Sequence, residues 1–203
     1  MKERGIFLKR FRKVLIVLLA ILVPVSIGFG FNFFSGESSD SAENQAMTVE
    51  GTLTVNQISE SQNLVPQDKI CNGVTMDITS SAVSLLRVKV DIYCADSKTA
   101  ETDIAPIKNA GDNWLKGSDG YYYYTQGVKN GDIVKLAEEG IYFNGLNDNV
   151  DMNKYQGKKI KVVANAELVQ AKHGVFAEKW GLSENKDGDI YTKLKKISND
   201  QGQ

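Results

Sequence analysis

One histidine, His173, and two cysteines, Cys71 and Cys94, are the chain's whole stock of imidazole and thiol. A two-histidine zinc peptidase needs a pair of imidazoles one helical turn apart, as in HExxH, with the enclosed Glu as general base. A single histidine cannot build that pair. His173, in Lys172-His173-Gly174, reads as an exposed residue at a hairpin tip. It shares no local motif with either cysteine, so no nucleophile–imidazole pair is expected. Two oxygen-rich stretches invite a calcium reading. In Asn185-Lys186-Asp187-Gly188-Asp189 the twelfth loop position falls on Leu194 instead of a bidentate Glu, so a polar turn is expected. Asn147-Asp148-Asn149-Val150-Asp151 reads as a solvated loop able to hold calcium only weakly. The chain is expected to be no enzyme and to carry no catalytic, cofactor-binding or metal residue.

The second feature with chemical content is the run Tyr121-Tyr122-Tyr123-Tyr124, half of the 8 tyrosines. Strand alternation puts Tyr121 and Tyr123 on one face and Tyr122 and Tyr124 on the other. One pair is expected in the core with Trp114. The other, taken as Tyr122 and Tyr124, would form an aromatic surface for a glycan or a surface protein. The plainer alternative is cross-strand aromatic packing.

What must position these residues is a body of modest size behind a basic, apolar leader. The net charge of -1 hides two unequal parts. Lys2, Arg4, Lys9, Arg10, Arg12 and Lys13 against Glu3 make residues 1–13 strongly positive, and the remainder is acidic. An acidic body has no electrostatic attraction to nucleic acid. No charge occurs between Lys13 and Glu37. A basic head before such a run is a secretory signal or a membrane span. The signal reading uses 14–25 as the apolar core and Ser26-Ile27-Gly28 as the small-residue cleavage region. The anchor reading uses all of 14–34 as one hydrophobic helix. Both put the body outside the cell. Residues 35–46 (SGESSDSAENQA) read as a flexible linker.

From residue 47 the pattern is that of strands. Met47, Val49, Gly51, Leu53 and Val55 alternate with polar residues. Ile70, Val74, Met76 and Ile78 share a face, as do Leu86, Val88, Val90, Ile92 and Cys94, and Ile160, Val162, Ala164, Ala166 and Leu168. Shorter strands are expected at 121–125, 133–136, 141–143 and 189–194, and 137–139 could add a helical turn. An all-β, two-sheet β-sandwich over 47–182 follows, with 183–203 a polar tail carrying at most one added strand. Cys71 and Cys94 in an exported chain are a candidate disulfide. If their strands pair directly, the regular register sets the two on opposite faces. One extra residue at Asn72-Gly73 would restore them to one face. The alternative is two buried thiols.

Four stretches in this order resemble the exported TasA/camelysin group, whose members travel with a dedicated signal peptidase. They are 63–70 (NLVPQDKI), 85–90 (LLRVKV), 114–132 (WLKGSDGYYYYTQGVKNGD), and Glu167-Leu168-Val169-Gln170-Ala171 followed by Trp180-Gly181. The sequence departs from the group's pattern at Gln67, where Gly is usual, and at Asn130, where Pro is usual. The resemblance implies a jelly-roll-like sandwich outside a Gram-positive cell. Some relatives form biofilm matrix fibres and others have been labelled metallopeptidases. It also implies structural roles: Arg87 outward on its strand, Trp114 and Trp180 as core or sheet anchors, Gly120 and Gly131 as turn formers. The leading expectation is therefore a secreted or surface structural protein that self-associates by β-strand exchange, with Met47, Val49, Leu53 and Val55 on the assembly strand. The alternatives are a binding module tethered to the membrane through 14–34, and a camelysin-like metallopeptidase.

Overall fold

The computed structural model describes residues 31–35, 49–57, 64–65, 67–94, 97–144, 155 and 158–201. Residues 1–30, residues 36–48 with Met47, and residues 147–151, the second stretch with a calcium reading, lie outside the described residues. Among the described residues, nine strands form two antiparallel sheets. Sheet A contains β1 (Phe31–Ser35), β2 (Val49–Gln57), β3 (Lys69–Ser80) and β7 (Ile133–Leu136) in that order, with β8 (Ile141–Tyr142) also paired to β3. Sheet B runs β5 (Trp114–Lys116), β6 (Tyr121–Tyr124), β4 (Ser84–Cys94), β9 (Ile160–Gln170). The chain is mostly β, as the alternating pattern predicts.

The inward faces are those the sequence marks. Leu53, Val74, Met76, Ile78, Leu86, Val88, Val90, Ile92, Val162, Ala164 and Leu168 all enter one core between the sheets. Val55 is half-buried against it, and Gly51 is buried. Trp114 ties the sheets together: it packs in this core from β5, and its Nε1–H donates to the Lys135 carbonyl of β7 at 2.8 Å.

The pairing of β3 and β4 differs from expectation. The two strands do not form a hairpin. A short arch, held by Ser80 Oγ and Ser84 Oγ at 2.9 Å, carries the chain from sheet A into sheet B. The parity argument for Cys71 and Cys94 therefore applies to a different partner. The extra residue does sit at Asn72-Gly73, but it answers β2, where the register steps from Val55↔Val74 to Gln57↔Cys71. Gly73 adopts φ +100°, and a Cβ there would stand 2.6 Å from the Ala137 carbonyl oxygen. The bulge turns Cys71 inward, where its thiol donates to the Gly73 carbonyl at 3.2 Å. Cys94, at the far end of β4, is buried in the same core.

The C-terminal expectation is overturned. Residues 189–194 are not a strand, and 183–201 is not a tail: α1 (Val175–Trp180) and α2 (Glu184–Asp200) fold over the outer face of sheet B. Phe176, Trp180, Leu182, Ile190 and Leu194 bury against Leu85, Tyr123 and Val169 in a second core. Sheet B thus has apolar residues on both faces, and β4 is buried along nearly its whole length. Asn185-Lys186-Asp187-Gly188-Asp189 is helical, bent at Gly188, and Asp187 Oδ2 accepts from the Ser183 N–H at the helix start. Residues 137–139 form a turn and not a helical one, with Ala137 at φ +54°. At the other end, Phe31–Ser35 is a strand, so the last four residues of the expected 14–34 helix are extended. Among the described residues no helix is long and apolar enough to cross a membrane.

Candidate functional site

The residues with the densest chemistry lie between sheet B and the C-terminal helices. Strand alternation puts Arg87 of β4 on the face away from the main core, and α1 then covers it. Its side chain is only 10% exposed. A charge so placed must be compensated. Glu167, directly opposite on β9, takes Nε at 3.0 Å and Nη2 at 2.7 Å on one oxygen, Oε2. Arg87 Nη1 donates to the Tyr123 hydroxyl at 3.3 Å and lies 3.8 Å from Asp119. The guanidinium also lies over two rings, 3.9 Å from the Tyr121 centroid and 5.0 Å from that of Trp180.

The partners are themselves bound. Tyr121 Oη–H donates to Glu167 Oε1 at 2.8 Å, and Tyr123 Oη–H donates to Asp119 Oδ2 at 2.6 Å. Asp119 reaches this position from a tight turn closed by Gly120 at φ +85°, where its Oδ1 accepts the Tyr121 N–H. Trp180 arrives from the end of α1, which stops at Gly181 in the left-handed region, and meets Tyr123 edge-on at 5.8 Å.

The electrostatics follow from this enclosure. Burial disfavours the Arg87 charge, but hydrogen bonds to Tyr123 and Glu167 overcome it and hold the guanidinium above its ordinary range. Burial and the bond to Asp119 raise Tyr123 far above the usual phenol range, against the opposing pull of Arg87. Tyr121 is raised by burial and by its bond to Glu167. Donors and acceptors are mutually satisfied, so the cluster acts as a rivet. It fixes α1 to the sheet through a cation held between two rings and two carboxylates.

Arg87, Tyr121, Tyr123, Glu167 and Trp180 come from three of the four stretches singled out by sequence, and the fold brings them together. The tyrosine faces are a correction. Tyr122 is buried in the sandwich core and Tyr124 packs on Trp114 at 5.0 Å, so they present no outward aromatic surface. The outer pair is Tyr121 and Tyr123, and the helices cover it. Alternation gave the pairing but not which face was inside, because both faces of sheet B are buried. Glu167 and Asp119 were not singled out as partners. Arg87 and Glu167 facing each other across β4 and β9 would have been the signal. Trp114 packs in the main core, Trp180 packs in the second core, and Gly120 and Gly131 have positive φ in turns; Gly131, at φ +84°, donates its N–H to the Ile78 carbonyl.

His173 is not at a hairpin tip. It lies in a 3-10 turn (Lys172–Gly174) between β9 and α1, exposed, at φ +64°. Among the described residues no three His, Cys, Asp or Glu side chains gather at metal-binding distance. The expected assembly strand is internal: β2 is paired with β1 on one side and β3 on the other, with Leu53 fully buried. No known protein family, curated protein or solved structure matches the chain.

Proposed function

We propose that this is an exported surface or extracellular-matrix protein, a jelly-roll-like sandwich that assembles into fibres by β-strand exchange. The observation that carries the reading is β1. Among the described residues it is the end strand of sheet A, five residues long, paired with β2 from Phe31↔Thr54 to Ser35↔Glu50, and joined to β2 by residues 36–48 instead of a tight turn. A short turn would tie β1 to its own β2. A long polar connection gives the β2 of a neighbouring copy comparable access at little extra entropic cost. The opposite edge of sheet A is stopped. Trp114 Nε1–H and the Ala137 and Asn144 N–H groups make bonds that fasten β7 and β8 to the 104–114 segment. Of the two ends of sheet A, that leaves the β1 end for exchange.

The basic head and apolar run support export. Residues 31–34 cannot be both a paired strand and part of a bilayer-spanning helix, which favours the shorter signal reading. Cleavage near Ser26-Ile27-Gly28 would leave β1 close to a new N-terminus. The resemblance to fibre-forming relatives in the TasA/camelysin group supports the same reading. The tethered binding module drew on Tyr122 and Tyr124 as an outward surface, and the inward packing of both removes that support. N-terminal sequencing and sedimentation of the protein recovered from outside the cell test the proposal. The expected result is a chain starting between residues 26 and 31 that forms oligomers on concentration. A monomer that retains residues 14–30 overturns it.

A further inference from the structure

The outer surface of the helical cap carries a groove that plays no part in strand pairing. It is about 570 Å³ and runs between the 3-10 turn, α1 and α2, with His173, Phe176, Tyr191, Lys195, Ser198 and Asn199 among its lining. A second depression of about 290 Å³ continues it along α2 and shares Tyr191, Lys195 and Asn199.

The walls are built. Ser198 is buried on α2, and its Oγ accepts the Gly174 N–H at 2.8 Å, locking the turn against the helix. The locked turn holds His173 in the left-handed region, which non-glycine residues seldom occupy. Phe176 and Tyr191 meet at 5.7 Å and form an aromatic floor, with Lys195 Nζ 5.3 Å from the Tyr191 centroid.

The charge is unusual for this protein. The chain beyond residue 13 is acidic overall, yet the larger depression is lined by Lys195 and His173 and by no carboxylate. The smaller one sets Lys195 and Lys196 against Glu184 and Asp200 and is close to neutral. We infer that this groove binds an acidic polysaccharide. One carboxylate-bearing sugar would sit in the larger depression, its carboxylate on Lys195 and His173, its ring against Tyr191, its hydroxyls on the Asn199 amide. The neighbouring sugar would extend along α2 into the smaller depression. The Tyr191 ring suits the apolar face of a sugar, and the lysine and amide suit its polar rim. Two joined depressions sharing one side suit a chain better than a lone ion.

The test is calorimetric titration of the full chain, kept in mild detergent, with tetragalacturonate as the acidic probe. Maltotetraose serves as the neutral probe and tripolyphosphate as a charge-only probe. Tetragalacturonate should bind, and Lys195→Gln and His173→Asn should each weaken it about five- to tenfold. Asn tolerates the left-handed backbone, so the second change keeps the turn. Lys135→Gln, on the distant sheet A, should leave binding unchanged. Three results would each overturn the site: no binding of tetragalacturonate at millimolar concentration, tripolyphosphate binding as well as tetragalacturonate, or equal weakening by Lys135→Gln. Loss of this site would leave the strand-exchange reading untouched, because none of these residues belongs to the β1–β2 edge.

Discussion

At the scale of single residues, Arg87 shows how one side chain can hold two layers together. Arg87→Ala removes a cation between two rings and leaves Glu167 without its main partner. Glu167 is itself 40% exposed, so water recovers part of that loss. A destabilisation of about 2–4 kcal/mol is expected, read as a lowered denaturation midpoint. Arg87→Lys should recover little, since an ammonium lacks the planar fork that takes both rings and Glu167 at once. The same cluster sets an alkaline limit. In the unfolded chain Tyr123 ionises near pH 10, its ordinary value, whereas in the folded protein it keeps its proton to higher pH. Above pH 10 the folded state therefore binds more protons than the unfolded state, and unfolding free energy falls as pH rises. The midpoint should drop more steeply above pH 10 in the wild type than in Tyr123→Phe. A parallel decline in both would remove Tyr123 as the cause.

At the scale of elements, legibility depended on whether an element has one wet face. β2, β3 and β9 each keep a polar face, and their inward residues were readable from alternation alone. The bulge at Asn72-Gly73 was expected only as a repair for direct β3–β4 pairing, which does not form; it arises against β2, where Gly73 accepts the backbone it needs. Gly73→Ala should accordingly cost about 1–3 kcal/mol or more, through its positive φ and the contact with the Ala137 carbonyl. A thermal midpoint equal to wild type would show that the bulge can relax. Part of the α2 helix reads as a strand because Ile190, Thr192 and Leu194 alternate over a short window with Tyr191 and Lys193. The wider set of Ile190, Tyr191, Leu194, Ile197 and Ser198 repeats at helical spacing, and these are the residues that α2 turns toward the protein. Leu194 is fully buried, so Leu194→Ala should cost about 2–5 kcal/mol. Hydrogen exchange should then speed in α1 and α2 before it does in β4.

At the scale of the whole molecule, what the sequence could not convey was which strands neighbour one another. β3 and β4 are consecutive and each amphipathic, yet they belong to different sheets, because the Ser80–Ser84 arch turns the chain across the sandwich instead of back along it. In sheet A, β2 then lies between its two neighbours in the chain, β3 on one side and β1 on the other. If β1 is an exchangeable strand, its position on β2 is a binding site for a peptide. A chain beginning at residue 47 would retain β2 and β3 but expose the β2 edge from Glu50 to Thr54. Exposed strand edges associate with any strand of suitable pattern. Such a chain is expected to be less stable and prone to aggregate. A synthetic peptide covering residues 28–38 should bind it, raise its melting temperature in proportion to the logarithm of peptide excess, and suppress aggregation. The same peptide with Asn32 and Phe34 replaced by proline should fail, because proline removes the N–H groups that pair with β2. If the proline peptide stabilises the truncated chain as well as the native one, backbone pairing is not what holds β1, and strand exchange loses its physical basis.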